Sequence, residues 1–201
     1  MNRRRVAAIL ISIGCLFLIA ALTLGGYNLW DDHRAEQTVS GILEQLPEKQ
    51  PESEPGLTPD YLLNPAMEMP TVEIDGYLYI GKVSIPTLEL DLPVMDAWDY
   101  TRMKIAPCRY TGTAYRPGFV ICAHNYASHF GRLKNLAPGD AVTFTDMAGN
   151  EFSYEVAEVE TLAPTAVEEM KSEDWDLTLF SCTVGGRARV TVRCRQIKTG
   201  E

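Results

Sequence analysis

An almost unbroken apolar run near the N-terminus constrains this chain more than any other feature. It covers residues 6–27 and is interrupted only by one serine, one threonine and three glycines. About 20 apolar residues are enough for a helix to cross the hydrocarbon core of a bilayer. Three arginines at positions 3–5 precede the run, and Asp31 and Asp32 follow it. Positive residues favour the cytoplasmic side, so we expect a single-pass protein of the cell membrane with its N-terminus inside and the remaining chain outside.

The alternative for this segment is a cleaved signal peptide. Such a peptide has a shorter apolar core and ends at a small-residue cleavage site, which Leu22-Thr23-Leu24-Gly25-Gly26 does not supply. An uncleaved anchor is therefore favoured, and both interpretations export the rest of the chain.

The segment after the anchor changes in composition. Residues 47–56 are acidic and proline-rich without apolar periodicity, which is typical of an extended spacer. The sequence therefore predicts three parts: a cytoplasmic stub and transmembrane anchor at residues 1–30, a stalk with a Pro/Glu-rich linker at 31–74, and one folded domain at 75–201.

Charge and cysteine content limit the partners and cofactors of this domain. The net charge is −9, and the only arginines before the apolar run are those at positions 3–5, so the exported part is acidic and a poor candidate for binding nucleic acid. Its four cysteines, Cys108, Cys122, Cys182 and Cys194, form no CxxC pair, and no histidine spacing suggests zinc. We expect no metal and no cofactor. Disulfide pairing in an exported domain remains open.

Short segments of alternating or continuous apolar residues, separated by turn residues, dominate from Tyr77 onward. Two helical stretches interrupt them, at about 128–136 and 165–171. Seven or eight strands with few helices predict a mainly β domain, either a closed barrel or a sandwich. The predicted strands are 78–85, 88–94, 118–123, 141–145, 151–162, 176–181 and 188–197.

Cys182 is the candidate nucleophile. It ends the apolar strand Thr178-Leu179-Phe180-Ser181, and a glycine turn follows it. A cysteine at a strand end is held rigidly and can be reached from solvent, which suits nucleophilic catalysis. A lone cysteine is nevertheless more often a buried structural residue.

A histidine and an arginine could complete such a site. His124 ends the apolar strand 118–123, where it could act as a general acid or base. His33 lies in the stalk, and His129 is expected at the surface. An arginine can stabilise a developing oxyanion, but period-two alternation cannot choose among Arg189, Arg193 and Arg195, and all could be solvated.

With these residues in place, the chain resembles the sortases, the cysteine transpeptidases of Gram-positive cell surfaces. The resemblance covers about residues 75–197 and rests on the order of six segments. The second of them resembles class B-like members, and the subclass is open. The segments are YIGKVSIP with LPV at 79–94, CRYTG at 108–112, AHNY with FGRL at 123–133, GDAV at 139–142, TLFSC at 178–182 and RVTVR at 189–193.

The resemblance implies a closed sortase-type β-barrel of seven or eight strands with a few short helices, preceded by one transmembrane helix. It implies that Cys182, His124 and Arg189 are catalytic, and we expect Asn125 and Ser181 to contact the substrate. Cys182 would attack an LPXTG-like sorting signal of a secreted protein and form a thioester. A peptidoglycan-precursor or pilin amine would then resolve the thioester.

Some features of the sequence depart from the family pattern or leave alternatives open. Ser181 stands where the family usually has threonine, and the short glycine-rich turn after Cys182 leaves Arg187 as an alternative to Arg189. A DPF- or DPW-type lid motif before the first barrel strand is absent, which argues against a lidded pilin polymerase. A membrane-anchored cysteine hydrolase, or a non-catalytic anchored β-barrel binding module, would also suit parts of the pattern.

Overall fold

A computed structural model of the protein describes residues 3–47 and 58–197. The first helix, α1, covers Arg3–Leu43 and passes through the predicted anchor boundary at residue 30 without a break. Chain contacts divide the protein into two compact units, Met1–Arg34 and Ala35–Glu201. Most of the acidic spacer predicted from the sequence, from Glu48 on, lies outside the described residues.

Within the described residues, the N-terminal unit consists of the part of helix α1 that ends at Arg34. A candidate span at Ile9–Leu43 is long and apolar enough to cross a membrane, with a mean hydropathy of 2.4 in its most apolar window. Large apolar side chains such as Phe17 and Leu22 are exposed along the helix. This composition fits a membrane anchor.

The second unit is a closed β-barrel. Its strands are β1 Val72–Ile74, β2 Tyr77–Ile85, β3 Leu90–Met95, β4 Cys108–Thr111, β5 Phe119–Ala123, β6 Ala141–Asp146, β7 Glu151–Leu162, β8 Leu177–Cys182 and β9 Arg189–Gln196. The barrel strands are neighbours in the order β2, β3, β4, β5, β8, β9, β7 and β6, and β6 pairs back onto β2 to close the barrel. The short strand β1 adds to β2 outside this ring. Eight barrel strands confirm the predicted fold.

The pairing of β5 with β8 is parallel, whereas β8 pairs with β9 in antiparallel fashion. Parallel neighbours end at the same edge of a sheet. The last residues of β5 and β8 therefore come together at one end of the barrel, beside the first residue of β9.

Alternate residues of these strands enter two different apolar clusters. Phe119 and Ile121 of β5 and Leu179 of β8 belong to the larger cluster, which also takes residues from β2, β6 and β9 and fills the barrel. Cys122 and Phe180 belong to the smaller cluster on the other face. Burial on both faces explains why β5 is a continuous apolar run, and why β8 has apolar residues on both faces.

Helices are short in this unit. A 3-10 helix at Phe130–Asn135 lies within the predicted stretch 128–136, and α3 at Val167–Met170 lies within 165–171. A further short helix, α2, covers Asp60–Leu63. Gly131 permits close chain contact after β5, because a Cβ atom there would lie 2.5 Å from the Asn125 carbonyl oxygen.

Candidate active site

Cys182 is the last residue of β8 and is partly exposed. Strand side chains alternate, so Cys182 points to the same face as Phe180, away from the barrel interior that Leu177 and Leu179 fill. Directly opposite Cys182 in the antiparallel ladder lies Arg189, the first residue of β9. The register therefore places the candidate nucleophile and the candidate oxyanion-binding arginine on one face.

His124 follows the last residue of β5. In the parallel ladder Ala123 pairs with Ser181, so the next residues along the two strands are His124 and Cys182. The His124 backbone N–H donates to the Met103 carbonyl at 3.3 Å, and its ring meets the Tyr126 ring edge-on with centroids 4.3 Å apart. The strand register thus puts His124 and Cys182 in corresponding positions, each one residue beyond the Ala123–Ser181 pair.

The two candidate arginines, Arg187 and Arg189, have different surroundings at the turn between β8 and β9. The Arg189 Nη1 donates to the carbonyls of Gly186 at 3.2 Å and Ala188 at 3.1 Å, so the turn orients its guanidinium. Thr183 closes the turn, because its Oγ1 accepts from the Ala188 N–H at 3.0 Å. Arg187 lies within the turn and is exposed to solvent.

A groove with aromatic residues on several elements contains Cys182 and Arg189. The Tyr110 ring links the aromatic residues, with centroids 5.2 Å from both Trp98 and Phe180. Short aliphatic residues come from the segment that contains α3. The lining residues are Trp98, Tyr100, Met103, Tyr110, Cys122, Ala163, Pro164, Ala166, Val167, Met170, Phe180, Cys182 and Arg189.

Three of the remaining sequence expectations concern residues that do not line this groove. Ser181 is 1% exposed, and alternation directs it to the barrel interior, behind Cys182. Its role in substrate contact stays a prediction, as does that of Asn125, which is partly buried in the bend after His124. The expectation that His129 lies at the surface is wrong. His129 is fully buried, its ring contacts the Tyr126 ring, and the 3-10 helix begins at the next residue, Phe130.

Sequence reasoning did not identify the aromatic residues and α3 as parts of the groove. One available signal was the cluster Trp98-Asp99-Tyr100, which puts two aromatic rings in a loop directly after an apolar strand. Exposed aromatic residues in loops are typical of binding surfaces.

The other three cysteines of the barrel are fully buried free thiols. Burial raises the pKa of the Cys108 and Cys194 thiols to about 12, and it also raises the pKa of Cys122. A thiol reacts as its thiolate, so burial and a raised pKa both protect these residues.

We therefore expect a thiol-directed reagent to modify Cys182 first. After mild reduction, peptide mapping by mass spectrometry should show Cys182 labelled at least about tenfold faster than the three buried thiols, in line with thiolate-controlled reactivity. Cys15, in the apolar N-terminal helix, is mapped separately. Equal rates at all four barrel cysteines would contradict an accessible, reactive Cys182.

Comparisons with known proteins identify the family of the chain. The sortase domain model matches residues 83–197. Sortase A of Bacillus anthracis is 23% identical over 191 residues, which cover 90% of this chain and 89% of that protein. Among solved structures, sortase C1 of Streptococcus suis is 27% identical with a TM-score of 0.54, and covers 61% of this chain and 74% of its own.

A Clostridium perfringens sortase D5 transpeptidase shares the fold at 16% identity, with a TM-score of 0.57. The match covers 81% of this chain and 97% of that chain. These relatives bear class A, C and D names, so they have the family in common rather than a subclass. The domain match covers more than half of the chain, and it includes the ends of β5 and β8 and the start of β9. This protein belongs to the sortase family of cysteine transpeptidases.

Proposed function

We propose that this sortase cleaves an LPXTG-like sorting signal through a thioester on Cys182 and transfers the acyl group to a peptidoglycan-precursor or pilin amine. Sortases act on proteins with sorting signals and on amine acceptors. The observation that carries the assignment of residues is the register at the ends of β5, β8 and β9. It sets Cys182 opposite Arg189, and it makes His124 and Cys182 the residues that follow the paired Ala123 and Ser181.

In the first half-reaction, the Cys182 thiolate attacks the scissile carbonyl carbon, and the carbonyl oxygen becomes an oxyanion. The guanidinium of Arg189 stabilises this charge. Within residues 3–47 and 58–197, only the Nη1 of this guanidinium donates to an acceptor, so the N–H groups of Nε and Nη2 can donate to the oxyanion. His124 as imidazolium protonates the leaving amine, and the C–N bond breaks to give the thioester.

In the second half-reaction, an acceptor amine attacks the thioester carbonyl. His124, now neutral, takes a proton from this amine, and the Cys182 thiolate leaves. The new amide bond joins the secreted protein to its acceptor. Water in place of the amine would give hydrolysis, so both reactions share the acyl-enzyme.

The groove supplies a binding surface for the donor peptide. Aromatic and aliphatic side chains that lead to Cys182 suit an apolar, extended segment such as the leucine and proline of a sorting signal. The membrane anchor, with its N-terminus cytoplasmic and the barrel extracellular, would hold the enzyme at the membrane face where exported substrates emerge and raise their effective concentration.

A turnover assay with the full chain in detergent tests this function. With a fluorogenic LPXTG-type peptide, mass spectrometry should detect an acyl adduct on the peptide that contains Cys182. Adding oligoglycine or a diaminopimelate-type amine should convert the hydrolysed product into the amide. Hydrolysis alone with every such amine would overturn transfer, and an adduct on any other residue would overturn the assignment of Cys182.

A further inference from the structure

Arg193 is a buried arginine on the face of the barrel that carries the active site. It lies on β9 four residues after Arg189 and shares that face by strand alternation. Its exposure is only 2%, whereas Arg195, the next arginine on the face, is exposed. A guanidinium is buried at high cost unless its charge is paired and its donors are bonded.

The barrel itself satisfies part of this requirement. The Arg193 Nε donates to the Glu160 Oε1 on β7 at 2.7 Å, and Nη1 donates to the Thr178 Oγ1 on β8 at 3.1 Å. These two bonds, one of them an ion pair, fix the guanidinium across three neighbouring strands.

The opposite side of the same guanidinium bonds to α3. Nη2 donates to the Glu169 carbonyl at 2.8 Å, and Nη1 donates to the Met170 carbonyl at 3.4 Å. The hydroxyl of Thr191, between Arg189 and Arg193 on β9, lies 3.9 Å from the Met170 Sδ. Carbonyls at the end of a helix have no partner within the helix, and an arginine can supply one.

Helix α3 depends on such outside contacts for its position. It has four residues, and a helix this short is not stable by itself. It nevertheless contributes Val167 and Met170 to the groove beside Cys182. The Lys171 amine, one residue later, lies 5.7 Å from the centroid of the Tyr110 ring among the aromatic lining residues.

We propose that Arg193 is a positioning residue that holds α3 in place as one wall of the donor-peptide groove. The proposal rests on the proposed function of that groove. Arg193 contacts neither Cys182 nor the turn that orients Arg189, so it acts on donor binding rather than on the chemical step. Its charge is balanced by Glu160, so Arg193 is not available to a developing oxyanion.

The test separates binding of the donor peptide from chemistry. In the full chain in detergent, Arg193→Met should raise KM for the sorting peptide about tenfold and leave kcat within about threefold, because a displaced wall weakens donor binding. The KM of Arg193→Lys should lie between those of Arg193→Met and the wild type. An ammonium keeps the positive charge opposite Glu160, but it cannot bond to both strands and to both α3 carbonyls.

Two controls separate positioning from loss of stability. Arg195→Met removes an exposed arginine from the same face, where it contacts Asp174 and Trp175, and should leave KM unchanged. Val156→Ala destabilises the barrel interior away from the groove. Hydrogen exchange should show faster exchange of the amides at 167–171 in Arg193→Met, and Val156→Ala should not show this local change.

An unchanged KM in both Arg193 variants would overturn the proposal. It would also be overturned if Val156→Ala lost as much melting temperature as Arg193→Met and raised KM by the same factor. If Arg193→Met does not fold, the same criteria apply to Arg193→Lys. Failure of the proposed function appears differently. Turnover would then persist in Cys182→Ala, whatever the Arg193 variants do.

Discussion

Replacing Cys182 by alanine should reduce turnover of a sorting peptide by at least about 10³-fold, because the acyl-enzyme cannot form without its nucleophile. Another thiol cannot substitute for it. Cys122 lines the same groove, but it is fully buried and burial raises its pKa. The measurement is the initial rate of peptide cleavage by the full chain in detergent, together with the melting temperature.

Cys194→Ala is the matched control. This residue is a fully buried thiol of the barrel interior, paired with Leu177 in the β8–β9 ladder and remote from the strand ends of the site. The control should retain turnover within about threefold while losing some stability to the small cavity. If Cys182→Ala kept more than a tenth of the wild-type rate, the residue would not be the nucleophile.

The positions of Cys182 and His124 at strand ends could be predicted from sequence, because a strand-like segment rich in apolar residues precedes each of them. Their proximity could not be derived in the same way. It depends on the parallel pairing of β5 with β8, and a long connection with two further strands separates these two in the chain. Only the resemblance to sortases placed the two residues in one site, and their joint role stays a prediction.

The groove wall was harder to anticipate. Helix α3 is too short to give a clear periodic signal, and its position follows from tertiary contacts with Arg193. Alternation gave Arg189, Arg193 and Arg195 the same expected orientation. What distinguishes Arg193 is Glu160 on β7, a pairing across strands that local sequence does not reveal. The burial of His129 similarly depends on packing with Tyr126 rather than on a strand pattern.

Replacing Arg189 should cause the second-largest loss of activity, and replacing Arg187 should cause little loss. Arg189 lies opposite Cys182 in the ladder and lines the groove, whereas Arg187 is exposed in the turn and does not line it. Arg189→Met should therefore lower kcat/KM by about 10²–10³-fold, mainly through kcat, as expected when a donor to a developing oxyanion is removed. Arg187→Met should change kcat/KM by no more than about threefold.

Single-turnover formation of the acyl-enzyme isolates the step that Arg189 is proposed to assist. Its rate should fall in Arg189→Met by about the same factor as kcat/KM, and Arg189→Lys should recover only part of the loss, because an ammonium keeps the charge but not the planar fork. The Arg189 side chain also bonds to the turn carbonyls of Gly186 and Ala188, so melting temperatures are compared in parallel. A large loss in Arg187→Met with little change in Arg189→Met would transfer the oxyanion role to the turn arginine.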